Sequence, residues 1–332
     1  MSYISVIGGG CWGTTLAALL ANKGYDVTLW TLEAEVAGQI NDEGVNASYL
    51  PGVVLPESLR ATNDFREAAE KARYVLNAVP TQYIRTVFSS LSPHLTDEAI
   101  IVSASKGIEI GTLLTPSRIL GETTGRPVSV LSGPSFAREV IERLPTGVTL
   151  ATEDKMTGLI LQEVFNTDYF RVYTHDDVIG VEIGGALKNV IAIASGISDG
   201  MGLGYNARAT LITRGLAEIR RLGAALQARE VTFSGLSGLG DLVLTCTAGL
   251  SRNYTVGHRL GQGETLQEIT GGMKQVAEGV TTTHSAFELS KKHGIEMPIT
   301  EQVYLALYQG KPPREAVTDL MNRALKSEFH GY

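Results

Sequence analysis

The sequence is poor in residues that build covalent or metal-bound frameworks. It has two cysteines in 332 residues, Cys11 and Cys246, which form neither a disulfide framework nor a C-x-x-C pair. Such usage is typical of a reducing compartment, so we expect a cytoplasmic protein. The spacing of the six histidines is unlike that of metal ligands, and we predict no metal site: His94, His175, His258, His284, His293 and His330.

Charge is also scarce and has an acidic balance. Charged residues make up 19% of the chain, and the formal net charge is −7. This argues against broad nucleic-acid binding and against a polybasic membrane patch, since both need a basic surface. The N-terminus lacks a basic segment followed by an apolar one, and we find no apolar run of about 18 residues. We therefore predict no signal peptide and no membrane span.

Hydrophobic residues are plentiful at 43%, and the length suggests about two domains. The first half alternates strand-like and helix-like segments, such as the helical stretch Thr14–Lys23. Near-continuous apolar strands with helices between them predict a doubly wound, mainly parallel α/β sheet of the Rossmann-like type. The predicted strands are Tyr3–Ile7, Asp26–Trp30, Tyr74–Val79, Ala99–Ser103, Val128–Leu131 and Thr146–Ala151.

Strand patterns fade after about residue 174, and apolar residues then recur every three or four positions. The second domain is predicted to be all-α, with a boundary between 175 and 185. We divide the chain at residues 1–180 and 181–332. The predicted helical segments are Val181–Gly196, Asn206–Ala228, Thr265–Glu268, His284–Lys292 and Thr300–Tyr308.

A glycine-rich loop follows the first strand and opens the first helix. Gly8-Gly9-Gly10-Cys11-Trp12-Gly13 fits the G-x-G-x-x-G pattern in the strand–turn–helix context that dinucleotide binding requires. Gly8 allows the tight turn, Gly10 lets the backbone approach a pyrophosphate, and Gly13 lets helix and strand pack closely. We expect loop packing for Cys11, although a helix N-terminus can depress a thiol pKa.

The end of the second strand leaves the choice between NAD and NADP open. An acid there binds the ribose 2′-hydroxyl, whereas an Arg holds a 2′-phosphate. This strand ends Trp30-Thr31-Leu32-Glu33, with neither residue at the expected place. We interpret Glu33 as a charge at a helix N-terminus.

Polar residues follow two further predicted strands, at the sheet edge where ligands bind in such folds. They are Ser105-Lys106-Gly107 and Ser132-Gly133-Pro134-Ser135. Lys188 is a sharper candidate, because it lies in an otherwise apolar helical segment and a buried ammonium is costly. Desolvation and a second cation such as Lys106 would lower its pKa and make it a general acid/base.

Two later segments are weaker candidates. Gly235-Leu236-Ser237-Gly238-Leu239-Gly240 ends at Asp241, and a mobile loop with a solvated carboxylate remains an alternative there. Ser251-Arg252-Asn253 places a guanidinium between a hydroxyl and an amide, which suits a phosphate or carboxylate.

Taken in order along the chain, these blocks resemble the bacterial-type NAD(P)-dependent glycerol-3-phosphate dehydrogenases. The resemblance spans essentially the whole chain and includes Tyr49-Leu50-Pro51-Gly52, Phe136-Ala137 after the Ser132 block, and Gly185–Val190. It implies reversible reduction of dihydroxyacetone phosphate to sn-glycerol 3-phosphate by NAD(P)H, feeding glycerophospholipid synthesis, in a homodimer.

The resemblance also implies residue roles. Lys188 looks like the proton acceptor, Lys106 like a substrate and cofactor contact, and Asp241 like a group that orients Lys188 or the substrate. The other implied substrate positions are Gly133, Ser135, Ser251, Arg252 and Asn253; the other implied cofactor contacts are Trp12, Ala137, Arg252, Val276 and Glu278. The family usually has Ser at position 11 and a basic residue or His around Thr31-Leu32, and both departures occur here.

Two other functions fit parts of the pattern. A 3-hydroxyacid dehydrogenase of the same two-domain plan also uses a Lys, although the Ser251 block favours a phosphorylated substrate. A non-catalytic NAD(P)-sensing protein would share the glycine loop but would not need a Lys inside an apolar helix.

Overall fold

The computed structural model describes residues 3–272, 277–325 and 327–328. Ten strands form an eight-stranded sheet and a small hairpin of β3 and β4. In chain order they are β1 Tyr3–Ile7, β2 Asp26–Trp30, β3 Val45–Asn46, β4 Leu50–Val54, β5 Arg60–Thr62, β6 Tyr74–Asn77, β7 Ile100–Ser103, β8 Val128–Ser132, β9 Thr146–Ala151 and β10 Phe170–His175.

The large sheet has the strand order β10-β9-β8-β7-β6-β1-β2-β5. All its pairings are parallel except β8 with β9. After β1 the chain builds towards β2 on one side and then returns to β6 on the other. This reversal between β1 and β6 creates a crevice at their carboxyl ends, where ligands of open α/β sheets bind.

Helices cover the sheet and then form a separate helical body. The helices that alternate with strands are α1 Cys11–Asn22, α2 Ala34–Glu43, α3 Phe65–Ala69, α4 Ile84–Leu91, α5 Pro116–Thr124, α6 Ala137–Ile141 and α7 Lys155–Phe165. Those of the helical body are α8 Val178–Gly200, α9 Gly204–Ala225, α10 Asp241–Thr247, α11 Arg252–Gly261, α12 Leu266–Gly271, α13 Glu278–His293, α14 Pro298–Tyr308 and α15 Pro313–Met321.

The predicted fold class, a Rossmann-like sheet followed by a helical domain, is confirmed. All six predicted strands are present, within two residues at each end. The short β3, β4 and β5 were not predicted, and neither was β10, an edge strand in which buried and exposed residues largely alternate. The last strand ends at His175 and α8 begins at Val178; the division at residue 180 remains a prediction.

Helix α8 is the core of the helical body. It packs against α9, α10, α11, α13 and α14. By length and composition it could cross a membrane, but 89% of its most apolar window is buried inside the protein. Its apolar surface is therefore satisfied by packing, as in the core helix of a globular domain.

Four glycines bring α8 and α11 into backbone contact. A Cβ at Gly196 would collide with the carbonyl oxygen of Tyr254, and one at Gly257 would collide with that of Ile193. Gly200 and Gly261 repeat this contact one turn later. The helices can approach this closely only because these four positions lack side chains.

Two carboxylates of the helical body, the buried Glu182 and the half-buried Glu278, bind helix starts in the sheet domain. Glu182 in α8 accepts hydrogen bonds from the backbone N–H (2.7 Å) and hydroxyl (2.6 Å) of Ser117, in the first turn of α5. Glu278 accepts one from the N–H of Thr81, which begins the short helical turn before α4, at 3.2 Å. Carboxylates are favoured at helix N-termini, so both contacts hold the domains together.

The glycine contact between α8 and α11 leads to a stability prediction. We expect Gly257→Ala to lower the free energy of unfolding by about 1–3 kcal/mol, because the new methyl group must push the helices apart. Gly38→Ala is the matched control, since Gly38 also lies within a helix but has open space around its Cβ position. The free energy of unfolding of the Gly38→Ala variant should rise by about 0.5–1 kcal/mol, because alanine has a higher helix propensity than glycine. Denaturant unfolding measures the free energy of unfolding of both variants. If Gly257→Ala were stabilised as much as Gly38→Ala, the proposed close contact at Gly257 would be wrong.

Candidate active site

The glycine loop closes the crevice beside β1. Gly8 has φ +118°, and a Cβ there would lie 2.8 Å from the backbone of Ala78, just beyond β6. A Cβ at Gly13 would collide with the carbonyl oxygen of Gly8, so loop and helix touch directly. By contrast, Gly10 faces open space. The tight turn at Gly8 and the close packing at Gly13 are therefore as the motif predicted, whereas the approach of a pyrophosphate to Gly10 stays a prediction.

The small hairpin supports this loop from the side. Asn46 is fully buried, and its Nδ2 donates to the carbonyl oxygen of Gly9 and to Oγ1 of Thr14, both at 2.9 Å. Its Oδ1 accepts from the backbone N–H of Tyr49 at 3.1 Å. Sequence reasoning missed Asn46; the available signal was its position three residues before the Tyr49–Gly52 block.

At the other end of the crevice, Asp241 bridges two lysines. Its Oδ1 is 2.5 Å from Nζ of Lys188, and its Oδ2 is 2.6 Å from Nζ of Lys106. Lys106 follows β7, Lys188 lies in α8, and Asp241 begins α10. Asp241 and Lys188 are 0% and 7% exposed. The predicted proximity of the two lysines is therefore present, and Asp241 is a buried residue rather than a solvated loop residue.

This arrangement sets the protonation of Lys188. Burial lowers its pKa to about 8, the Asp241 carboxylate opposes this shift, and the charge of Lys106 reinforces it. Each buried charge has an opposite charge in contact, which offsets the cost of desolvation. Lys188 can therefore exchange a proton near neutral pH.

Thr245 is a further member of this cluster that sequence reasoning missed. Its Oγ1 accepts a hydrogen bond from Nζ of Lys188 at 2.8 Å and donates one to the carbonyl oxygen of Asp241 at 2.6 Å. Thr245 lies one helical turn after Asp241, and that spacing in the sequence was the available signal. The glycine-dense segment before Asp241 forms a π-helical turn, Leu236–Gly240, which leads into α10.

The loop after β8 contributes a backbone carbonyl group to the surroundings of Lys106. Gly133 has φ +139°, and a Cβ there would press on Val148, so glycine is required. Its carbonyl oxygen accepts hydrogen bonds from Nζ of Lys106 and Oγ of Ser135, both at 3.0 Å. Both residues predicted in this loop thus lie beside Lys106.

Ser251-Arg252-Asn253 lies at the start of α11, a helix that was not among the predicted helical segments. Ser251 caps the helix by accepting from the N–H of Tyr254 at 3.2 Å. The Oδ1 of Asn253 accepts from the N–H of Gly279, where α13 begins, at 2.9 Å. Arg252 is exposed, and its charge opposes the burial that raises the pKa of the Cys11 thiol and of the Glu278 carboxyl. It therefore lies between the glycine loop and α13.

The remaining predicted cofactor positions lie around the crevice. Trp12 packs against the sheet core, and Ala137 begins α6, where its carbonyl oxygen accepts a hydrogen bond from Thr15 of α1. Burial raises the pKa of Glu278 to about 7, against the influence of Thr81 and Arg252. Val276 lies outside the described residues.

Cys11 does not have the lowered thiol pKa that a helix N-terminus can give, and the Glu33 side chain does not cap the helix that follows it. Burial raises the pKa of the Cys11 thiol despite its helix N-terminal position, so it is no activated nucleophile. Glu33 does precede α2, but its carboxylate does not bind the helix N–H groups. Instead, its Oε1 accepts a hydrogen bond from the Tyr49 hydroxyl at 2.7 Å. The side chain is turned towards the hairpin rather than the helix.

The loop fits a dinucleotide phosphate. Among the described residues no side chain caps α1, so the N–H groups of its first turn stay available to an anion. Gly10 leaves the space beside them open. Within residues 3–272, 277–325 and 327–328, no three His, Cys, Asp or Glu side chains form a candidate metal site.

A glycine-rich crevice that ends at a Lys–Asp–Lys cluster is typical of a nicotinamide-dependent dehydrogenase. Residues 3–158 and 177–318 match the family models described as the N- and C-terminus of NAD-dependent glycerol-3-phosphate dehydrogenase. The chain belongs to this family.

Similar proteins agree with that assignment. The glycerol-3-phosphate dehydrogenase [NAD(P)+] of Citrifermentans bemidjiense is 57% identical over 98% of both chains. A crystal structure of the Coxiella burnetii glycerol-3-phosphate dehydrogenase has TM-score 0.94 and 41% identity, covering 97% of this chain and 99% of that one. The Saccharomyces cerevisiae enzyme has TM-score 0.83 and 30% identity, over 97% and 99%.

The support of the glycine loop by Asn46 leads to a binding prediction. Asn46→Asp replaces the two donated hydrogen bonds by a carboxylate facing the Gly9 carbonyl oxygen. We expect dinucleotide affinity to fall ~10-fold or more, because a misplaced loop and a nearby negative charge both disfavour the pyrophosphate. Nicotinamide fluorescence titration measures the affinity.

Asn41→Asp is the matched control for this variant. Asn41 likewise uses its side-chain amide on backbone groups, bonding the carbonyl oxygen and N–H of Ala61 at 2.8 and 2.9 Å, but at β5. It should leave dinucleotide affinity nearly unchanged. Equal losses in the two variants would show that Asn46 has no particular role at the loop.

Proposed function

We propose that the chain reversibly reduces dihydroxyacetone phosphate to sn-glycerol 3-phosphate with NADH or NADPH. The observation that carries this proposal is the Lys106–Asp241–Lys188 cluster at the end of the dinucleotide crevice. A bound nicotinamide would supply the hydride for C2 of the triose phosphate. The glycine loop and the N-terminus of α1 would hold the pyrophosphate, with Trp12, Ala137, Arg252, Val276 and Glu278 as further contacts.

Lys188 is the proposed proton-transfer residue. Reduction of the ketone requires a proton on the C2 oxygen, which Lys188 supplies as an ammonium group. Oxidation of the alcohol requires neutral Lys188 to accept that proton. Asp241 orients the ammonium group through its 2.5 Å contact, and Thr245 fixes it from a second side. A pKa of about 8 makes both protonation states accessible.

The remaining polar groups are proposed to bind the substrate. Arg252, exposed at the start of α11, offers a planar pair of donors to the phosphate. Ser251 retains its hydroxyl proton for the same purpose, since its oxygen is the helix cap. Lys106 adds a second positive charge towards the substrate oxygens. The other proposed contacts are Gly133, Ser135 and Asn253.

We also propose a cytoplasmic homodimer whose product enters glycerophospholipid synthesis. An apolar groove of about 620 Å³ between α9, α14 and α15 supports the dimer. Its lining includes Leu211, Val303 and Leu320. An apolar groove that is open to solvent is a place where a protein partner can pack.

Lys188→Met tests the proton-transfer role. The methionine keeps the apolar stem but has no proton to give, so we expect turnover with dihydroxyacetone phosphate to fall by ~10² or more. Dinucleotide binding should be nearly unchanged, because Lys188 lies at the substrate end of the crevice. The control is Lys292→Met, the same change at an exposed position of α13. Near-normal turnover of the Lys188 variant would refute the role.

The pH dependence of the reaction provides a second test. Ketone reduction should decline as pH rises through about 8, because Lys188 loses its proton, whereas alcohol oxidation should rise over the same range. Lys106→Gln removes the positive charge that lowers the pKa of Lys188. Both profiles should then move upward by ~1 pH unit. Profiles of kcat/KM in each direction measure this, and an unmoved or lowered midpoint would contradict the coupling.

A further inference from the structure

The chain from Asn77, the last residue of β6, to Gln82 lies beside the loop that carries Lys106. The two segments are neighbours because β6 and β7 are adjacent parallel strands, which end at the same edge of the sheet. The backbone of Ala78 also packs against Gly8 of the glycine loop. Residues 77–82 therefore contact both the dinucleotide loop and the loop after β7.

Asn77 uses its whole side-chain amide to join these strand ends. It is fully buried, and its Nδ2 donates to Oγ of Ser105 at 3.0 Å and to Oγ of Ser103 at 3.2 Å. Its Oδ1 accepts a hydrogen bond from the backbone N–H of Val79 at 3.1 Å. The Ser105 hydroxyl in turn donates to the carbonyl oxygen of Val79 at 2.6 Å. Asn77, Ser105 and Val79 are thus linked in a closed ring of hydrogen bonds.

This ring fixes the backbone from which the Lys106 side chain extends, because Ser105 is the residue directly before it. Gln82 fixes the other side of the loop. Its Nε2 donates to the carbonyl oxygen of Ile108, and its Oε1 accepts from the N–H of Ile110, both at 2.9 Å. The backbone around Lys106 is therefore held on both sides by residues 77–82.

We propose that Asn77 is a positioning residue, which acts through Ser105 to hold Lys106 at the substrate end of the crevice. There Nζ of Lys106 contacts the Asp241 carboxylate and the carbonyl oxygen of Gly133. A long lysine side chain loses conformational freedom when it is held in one place, and a fixed backbone reduces the freedom to be lost. The inference rests on the proposed reaction, in which Lys106 faces the substrate oxygens.

The protonation of Lys188 reports where Lys106 lies. The charged and titratable groups that act on Lys188 are Asp241 and Cys246 of α10 and Lys106 of the loop after β7. The positive charge of Lys106 lowers the pKa of Lys188. If the loop loosens, that charge moves away and the pKa of Lys188 rises. A variant that only destabilises the fold would not move this pKa.

Asn77→Leu keeps the size of the side chain but removes its hydrogen bonds. We expect the pH midpoint of kcat/KM for ketone reduction to move upward, by at most the ~1 pH unit expected for Lys106→Gln. The KM for dihydroxyacetone phosphate should rise ~3-fold or more. In the Lys106→Gln background, Asn77→Leu should add no further shift, because the charge that it positions is gone. An unmoved midpoint, or an equal shift in that background, would overturn the proposal.

Smaller changes guard against misfolding of that variant. Ser105→Ala removes the same link and should move the midpoint in the same direction, whereas Ser105→Thr keeps the hydroxyl and should retain the original midpoint. The controls are Asn41→Leu, which removes two bonds to the backbone of Ala61, and Ser5→Ala, which removes a buried hydroxyl without a hydrogen-bond partner among the described residues. A control that moves the midpoint as far as Asn77→Leu would contradict the role of Asn77.

Amine labelling tests the position of Lys106 without the reaction. Reductive methylation of the full chain, followed by mass spectrometry, gives the labelling rate of this lysine. The rate should rise ~3-fold or more in Asn77→Leu and Ser105→Ala, because a released amine is more often free to react. It should be unchanged in the two controls. An unchanged rate in Asn77→Leu would refute the positioning role, whatever the enzyme does with the triose phosphate. A raised rate in a chain that does not turn over dihydroxyacetone phosphate would contradict the reaction and leave the positioning standing.

Discussion

The buried carboxylate of Asp241 is the interaction on which the catalytic end of the crevice depends. An uncompensated ammonium group at the position of Lys188 would be strongly disfavoured. Asp241 compensates it and also binds Lys106 from the sheet domain. Two positive charges thus share one negative charge, which leaves a net positive site for a phosphorylated substrate. The contact also fixes how α8 and α10 lie relative to the loop after β7.

Glycine residues allow the close backbone contacts that position these charged side chains. The chain has 37 glycines, roughly 11% of its residues, against a usual ~7%. Some belong to the nucleotide loop, but others have purely structural reasons. Gly196 and Gly257 bring α8 and α11 together, and therefore hold Arg252 at a fixed place relative to Lys188. A Cβ at Gly184 would approach the backbone of Ser237, so a glycine also allows the π-helical turn before Asp241 to lie on α8.

Sequence reasoning was most successful where one physical rule dominates. Buried parallel strands are continuous apolar runs, and Lys188 stood out because charge is expensive within an apolar helix. Thr245 and Asn46 were missed because each acts through a partner distant in sequence. Helix α11 was not predicted, because its small and polar residues give little helical periodicity. Its helical state is stabilised by contact with α8, which one sequence does not display.

Glu182 and Glu278 make the structure of each domain depend on contacts with the other. Each carboxylate belongs to the helical body, yet the helix start that it satisfies belongs to the nucleotide-binding half. The sheet domain is therefore not a portable module. A recombinant chimera that joins this helical body to a foreign nucleotide-binding domain would need matching hydrogen-bond donors for both carboxylates at the corresponding helix starts. The two halves are thus constrained to be inherited together, although their chemical tasks are separate.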